Sequence, residues 1–280
     1  MSYFLCYNPP SMEHEVTIYA EKIFDLGFLP VTNSMLAALL SLLIVIGLVL
    51  FLKIKKNGVP SGLQNLLEIV VEGATELAES VAGSKQKAML FLPFILPLFF
   101  FILINNWLGL LPGVGSIGFE EGQHFVPLFR GATADLNTTL ALSITALFIT
   151  HFAGIMIVGL RAHTNKFLAY EMFLSIPREI KKGNYAAIIV NPIKFFVGII
   201  EFIGEFAKTA SLSLRLFGNI LAGEILLATM MSISAFILPI PFLFLEIFVG
   251  LIQATIFAIL SLVFLSIMSE DHEKHEEIAH

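Results

Sequence analysis

The sequence predicts an all-α integral membrane protein with about five transmembrane helices, an interfacial amphipathic helix, and a last pair of helices that is long and tilted as a hairpin. Three observations carry this. The 280 residues are 57% hydrophobic and only 14% charged, against about 25% charged in soluble domains. The mean hydropathy is +0.87. The apolar residues also fall into uninterrupted runs long enough to cross a bilayer. Length alone would allow one or two soluble domains, but the runs overrule that prior.

Residues 1–33 form an N-terminal segment. It carries Glu13, Glu15, Glu21 and Asp25 with no apolar core, so it reads as neither a cleavable signal nor a basic transit sequence. The first span, 34–52, is uncharged and is bounded by Lys53, Lys55 and Lys56. In residues 60–83, Leu63, Leu66, Leu67, Val70, Val71, Ala74, Leu77, Ala78 and Val81 recur at helical spacing, while Glu68, Glu72, Glu76 and Glu79 lie elsewhere. That pattern predicts an amphipathic helix at the membrane surface. The second span is 88–112, where Pro93 and Pro97 predict a kink or a late start. A Gly-rich loop with Glu120 and Glu121 follows. Asp135 and Asn137 suit the cap of a third span, 136–160.

A polar stretch, 161–191, contains Pro177, Arg178, Lys181 and Lys182. Two long apolar helices follow, at 192–231 and 233–268. The first carries Glu201, Glu205, Lys208, Arg215 and Glu224, and the second carries Pro239, Pro241, Glu246 and Gln253. Both exceed the roughly 20 residues that an upright helix needs, so they must tilt, kink or thicken the bilayer. Residues 269–280 are an acidic, His-rich inside tail.

Five spans place the termini on opposite sides. With the N-terminus outside, Lys53, Lys55, Lys56, Lys85, Lys87, Arg161, Lys166, Arg178, Lys181, Lys182, Lys194 and Lys274 fall inside. Only Lys22 and Arg130 fall outside, and this bias predicts N-out, C-in. The net charge of −6 argues against a nucleic-acid partner. Cys6 is the only cysteine, so no internal disulfide is available.

Arg215 is the most informative residue. A charge inside a membrane helix costs about 2.5–3.5 kcal/mol on insertion scales, and Arg cannot shed its proton to escape that cost. With Arg215 at zero on a helical wheel, Lys208 lies near ~20°, Glu201 and Asn219 near ~40°, Ser211 near ~−40° and Glu205 near ~80°. These make one polar stripe. Glu224 falls near ~180°, on the opposite face. Glu246 and Gln253 share a face about 10 Å apart on the last helix. Small residues (Gly204, Ala207, Gly218, Ala222, Gly223, Gly250 and Ala254) permit close helix approach.

The run Glu201-Phe-Ile-Gly-Glu-Phe-Ala-Lys208-Thr-Ala-Ser211-Leu-Ser-Leu-Arg215-Leu-Phe-Gly-Asn219-Ile-Leu-Ala-Gly-Glu224 strongly resembles subunit a of the F-type ATP synthase. Glu246, Gln253 and Leu262-Val-Phe-Leu-Ser-Ile-Met-Ser-Glu270 resemble that family's last helix. Asn105-Asn-Trp-Leu-Gly-Leu-Leu-Pro112 and Ala134-Asp-Leu-Asn-Thr-Thr-Leu140 are similar to further segments. The resemblance covers nearly the whole chain.

It implies an ion-translocating stator subunit of a rotary ATP synthase. Such a subunit abuts a c-subunit ring, and two offset aqueous half-channels lead to the ring carboxylates. Arg215 matches the essential arginine between the half-channels. A guanidinium favours the charged form of an approaching carboxylate and repels cations that would leak straight through. Glu224 matches the acid of the outer half-channel, Gln253 a glutamine near the arginine, and Glu201 an acid of the inner half-channel. Asn219 and Ser211 are lesser members. The position of Glu246 is His in some members and an acid in others. Two neighbouring carboxylates share protons, which suits a relay, although a cation site is the alternative. The resemblance also implies peripheral-stalk b subunits, the soluble ATPase head and membrane lipid as partners. No nucleotide-binding motif is present, and no cofactor or metal is expected. The acidic N-terminal segment without a transit sequence suits a bacterial plasma (inner) membrane, with an organelle inner membrane as the alternative.

The same residues also admit other readings. A stand-alone secondary transporter or channel also uses intramembrane charges, but no internal repeat in two halves is visible. An intramembrane enzyme lacks paired His ligands or a Ser-His set at membrane depth. Arg215 could be a structural ion pair with Glu201 or Glu205, and Glu224 and Glu246 could be merely solvated at an interface. Lys208 reads as structural or snorkelling, and Gln253 as either a relay or a plain helix–helix hydrogen bond. His151 reads as a packed polar residue. Gly113-x-Gly115-x-x-Gly118 follows a span rather than a strand, which excludes the dinucleotide fingerprint. The tail histidines His272, His275 and His280 lack HExxH spacing. Asn137-Thr138-Thr139 is a formal sequon that a helix cap explains.

Overall fold

The computed structural model describes residues 20–25, 27, 30–54, 62–111, 114, 117–121, 124–168, 187–234 and 237–269. Much of the N-terminal segment, most of the polar stretch 161–191, Gly113 and Gly115 of the glycine pattern, and the tail histidines lie outside these residues. The elements run β1 (Lys22–Asp25), β2 (Pro30–Thr32), α1 (Asn33–Ile54), α2 (Leu63–Ala82), α3 (Lys85–Leu108), β3 (Gly118–Glu121) and β4 (His124–Pro127). After a 3-10 turn at Ala132–Ala134 come α4 (Leu136–Val158), α5 (Leu160–Leu168), α6 (Ala187–Ile233) and α7 (Pro239–Met268). Among the described residues five helices are long and apolar enough to cross a membrane: α1, α3, α4, α6 and α7. The chain is an all-α integral membrane protein whose described residues add two small antiparallel hairpins, β1–β2 and β3–β4. Those hairpins escaped the sequence reading because strands this short carry no period-2 signal.

Local chemistry sets the helix ends. Gly83 closes α2 in the left-handed region, φ 65°, a position glycine occupies without Cβ strain. Asp135 caps α4 by accepting from the Asn137 backbone N–H at 3.1 Å. Gly159, at φ 94°, separates α4 from α5, a helix hidden inside the stretch expected to be merely polar. Pro93 and Pro97 both lie within the continuous α3, eight or more residues past its start. Membrane helices tolerate such prolines when neighbours satisfy the freed carbonyls. Pro192 lies within α6, which starts five residues before it.

α3 packs most extensively on α7, α4 on α6, and α2 on α3. One core joins Leu98, Ile102 and Leu103 of α3 with Ala146 of α4, Leu212, Leu216 and Ile220 of α6, and Ala254 and Phe257 of α7. A second joins Ala78 and Ala82 of α2 to Phe91 and Ile95 of α3 and Leu262 and Leu265 of α7. The stripe of α2 is therefore divided. Leu67 and Ala78 are buried in protein, while Leu66 and Leu77 remain exposed. α6, at 47 residues, is about 70 Å long at 1.5 Å per residue, more than twice the roughly 30 Å hydrocarbon core. Its outward side carries exposed Phe196, Ile200, Ile203, Phe206 and Leu214. Without a hydrophobic drive between helices in lipid, close packing and hydrogen bonds hold such a bundle.

Candidate ion-translocation site

Arg215 lies on the exposed side of α6. Its Nη2 donates to Ser211 Oγ, one turn earlier, at 3.3 Å. Among the described residues no acid pairs with it. Glu201 lies 14 positions away, about 21 Å along the axis, so the ion-pair reading fails for that acid on geometry. Around Arg215 the exposed positions are mostly small or polar, Ala207, Ser211, Gly218, Asn219 and Ala222, with Leu214 the apolar exception. Among the described residues nothing within 4 Å would meet a Cβ at Gly218. Gly223, Gly250 and Ala254 are buried against neighbouring helices, whereas Gly204 is half-buried with open space at its Cβ position among the described residues. The small residues thus serve two surfaces, one internal and one facing outward around the guanidinium.

The expected polar stripe splits along its length. Glu205 is only 2% exposed and accepts from Lys208 Nζ at 2.7 Å. The same ammonium stands 5.1 Å from the centre of the Phe264 ring. Lys208 is therefore a structural partner of Glu205, which also removes Glu205 as a counter-ion for Arg215. The pair borders a small cavity shared with Ser143, Thr150, Thr209 and Ser261. Glu201 is half-buried, one turn before Glu205.

On the opposite flank, as the wheel predicts, Glu224 faces the bundle. Its Oε2 accepts from Arg130 Nη2 at 3.3 Å, with side-chain exposures of 22% and 10%. Gly131 stands beside the other oxygen, where a Cβ would lie 3.4 Å from Oε1. Glu246 is buried, and its carboxylate lies against the bare Cα of Gly223, where an added Cβ would collide with it. The two acids thus flank neighbouring residues of α6. Gln253 is buried, and its Oε1 accepts from Asn219 Nδ2 at 2.8 Å. Asn219 and Gln253 therefore bridge from the Arg215 side of α6 to the acid side of α7.

The end of α3 fixes α7 in this register. Asn106 Nδ2 donates to the Gly250 carbonyl at 3.0 Å, and Trp107 Nε1 donates to the Ile247 carbonyl at 3.1 Å. Thr133 Oγ1 donates to Asn106 Oδ1 at 2.8 Å. Among the described residues buried Asn105 Oδ1 has no hydrogen-bond partner. Sequence reasoning missed the placement of Arg130, which it counted only as a charge outside the membrane. It also assigned no contact to Asn106 or Thr133. A lone cation just before the Ala134-Asp-Leu-Asn segment, in an otherwise acidic loop, was the available signal. His151 Nδ1 stands 3.1 Å from His163 Nε2, and both rings pack edge-on against Phe167. Among the described residues no group of three His, Cys, Asp or Glu side chains could hold a metal ion.

The family model for the ATP synthase A chain matches residues 35–266. ATP synthase subunit a of Gloeobacter violaceus is 33% identical over 243 residues, covering 87% of this chain and 86% of the relative. The subunit a of Mycobacterium bovis is 34% identical, with 89% and 92% covered. That of Mycobacterium marinum is 36% identical over the same shares. With nearly the whole chain matched and five membrane-length helices carrying the match, the chain belongs to the ATP synthase A chain family, that of subunit a of the F-type ATP synthase.

Proposed function

We propose that this chain is the proton-translocating stator subunit of a rotary ATP synthase, with Arg215 separating two offset half-channels against a c-subunit ring. The observation that carries this reading is the exposed guanidinium of Arg215, flanked by small and polar side chains and without an acidic partner among the described residues. A permanent charge at that depth costs about 2.5–3.5 kcal/mol, and a carboxylate arriving on a neighbouring subunit would offset it. Small flanking residues let such a helix approach closely.

In this mechanism Glu224 and Glu246 carry protons in the outer half-channel. Asn219 and Gln253 line the boundary near Arg215. Glu201 and Ser211 line the inner half-channel. A ring carboxylate facing Arg215 ionises because the guanidinium stabilises its charge. Protons cannot pass the guanidinium directly, so each carboxylate must rotate with the ring before it meets the other half-channel. The peripheral-stalk b subunits hold the stator, and nucleotide chemistry belongs to the soluble head. The N-terminus faces outward and the C-terminus lies in the cytoplasm of a bacterial cell.

The test is Arg215→Ala in the intact complex. Coupled ATP synthesis is abolished while the complex still assembles; retained coupled synthesis would sink the mechanism. Glu224→Gln gives a milder loss, seen as reduced ATP-driven pumping in vesicles.

A further inference from the structure

We propose that Arg130 is a positioning residue for Glu224, a tether that orients the acid for proton exchange. The proposal rests on the reading of Glu224 as a pathway acid. The backbone next to Arg130 is held by buried structure. Ala132, Thr133 and Ala134 have no exposed surface. The Ala134 N–H donates to the Gly131 carbonyl at 3.0 Å, and Thr133 is bonded to Asn106 on α3. Asp135 accepts from Ser34 Oγ of α1 at 3.0 Å. The guanidinium is thus delivered from a turn anchored to two spans.

Around Glu224 the chain has cleared space. Gly131 approaches Gly109 so closely that a Cβ on Gly109 would stand 3.3 Å from Gly131 Cα. No side chain of these two residues intrudes on the carboxylate, which has Arg130 on one oxygen and Gly131 beside the other. The 3.3 Å bond is longer than the roughly 2.7–2.9 Å of a tight charge-assisted pair. Such a contact orients the acid and still lets it release the guanidinium when it takes a proton. Geometry held in advance is the usual source of efficiency in a transfer step.

The experiment measures ATP-driven proton pumping in inverted vesicles containing the intact complex, with the amount of assembled complex recorded for each variant. Arg130→Gln is expected to slow pumping about tenfold, the scale of one hydrogen bond to a charged group, without loss of assembly. Arg130→Lys should recover most of the rate. Arg130→Gln combined with Glu224→Gln should be no slower than Glu224→Gln alone. Arg130→His supplies a second readout: pumping should rise as pH falls through about 6.5, where imidazole becomes cationic. Wild-type pumping in Arg130→Gln, multiplicative losses in the double variant, or a wild-type pH profile in Arg130→His would each overturn the tether. Wild-type pumping in Glu224→Gln overturns the pathway reading itself, independently of any result at Arg130.

Discussion

Gly223→Ala is the sharpest steric test of the acid pair. The added Cβ would stand 2.7 Å from Glu246 Oε1 and closer still to the carboxylate carbon, whereas ordinary contact begins at 3.4 Å. Something must move by most of an ångström. Alanine in place of glycine gains up to about 1 kcal/mol of helix propensity, and overpacking costs about 1–3 kcal/mol. The net effect on the folded subunit is therefore small, between about zero and 2 kcal/mol against it. The effect on function is larger, because the cheapest relaxation swings the Glu246 carboxylate away from α6. A misplacement near 1 Å can cost about a hundredfold in a positioned transfer. Pumping in inverted vesicles should fall at least about tenfold, the lower end of that scale, with most of the complex still assembled. Adding Glu246→Asp withdraws the carboxylate by one methylene and should restore the melting temperature of the purified complex. The reasoning is refuted if Gly223→Ala pumps normally, or if its thermal loss is unaffected by Glu246→Asp.

Two other outcomes follow from the packing. Lys208→Met strips the cation from buried Glu205. A broken buried pair costs about 3–5 kcal/mol, and because the Lys208 side chain is 36% exposed the expected loss is discounted to about 1–3 kcal/mol. Glu205→Gln in the same chain should recover it, and complex yield and melting temperature report both. Gly154→Ala places a Cβ 2.9 Å from the Met268 backbone carbonyl and 3.0 Å from the His163 ring. A backbone atom cannot swing aside, so the melting temperature should fall, whereas Gly218→Ala, with open space around it, should leave it unchanged.

The sequence by itself determined the class of molecule and most of the helices. Apolar runs of bilayer length report their own environment, since every backbone polar group in lipid must be satisfied within a helix. The 100° periodicity was also enough to set Glu224 opposite Arg215 and to put Glu246 on the same face as Gln253. That periodicity relates residues on one helix and says nothing about which neighbour covers each face. Only the tertiary structure decided that Glu205 turns inward to Lys208 while Arg215 stays exposed, because burial depends on where α4 and α7 pack against α6. It alone paired Asn219 with Gln253, set Glu246 against the bare Gly223, and brought Arg130 across more than ninety positions to Glu224. Such contacts join residues far apart in the chain and leave no local pattern. The two hairpins and α5 were equally hidden, being too short for periodicity to separate them from polar loop.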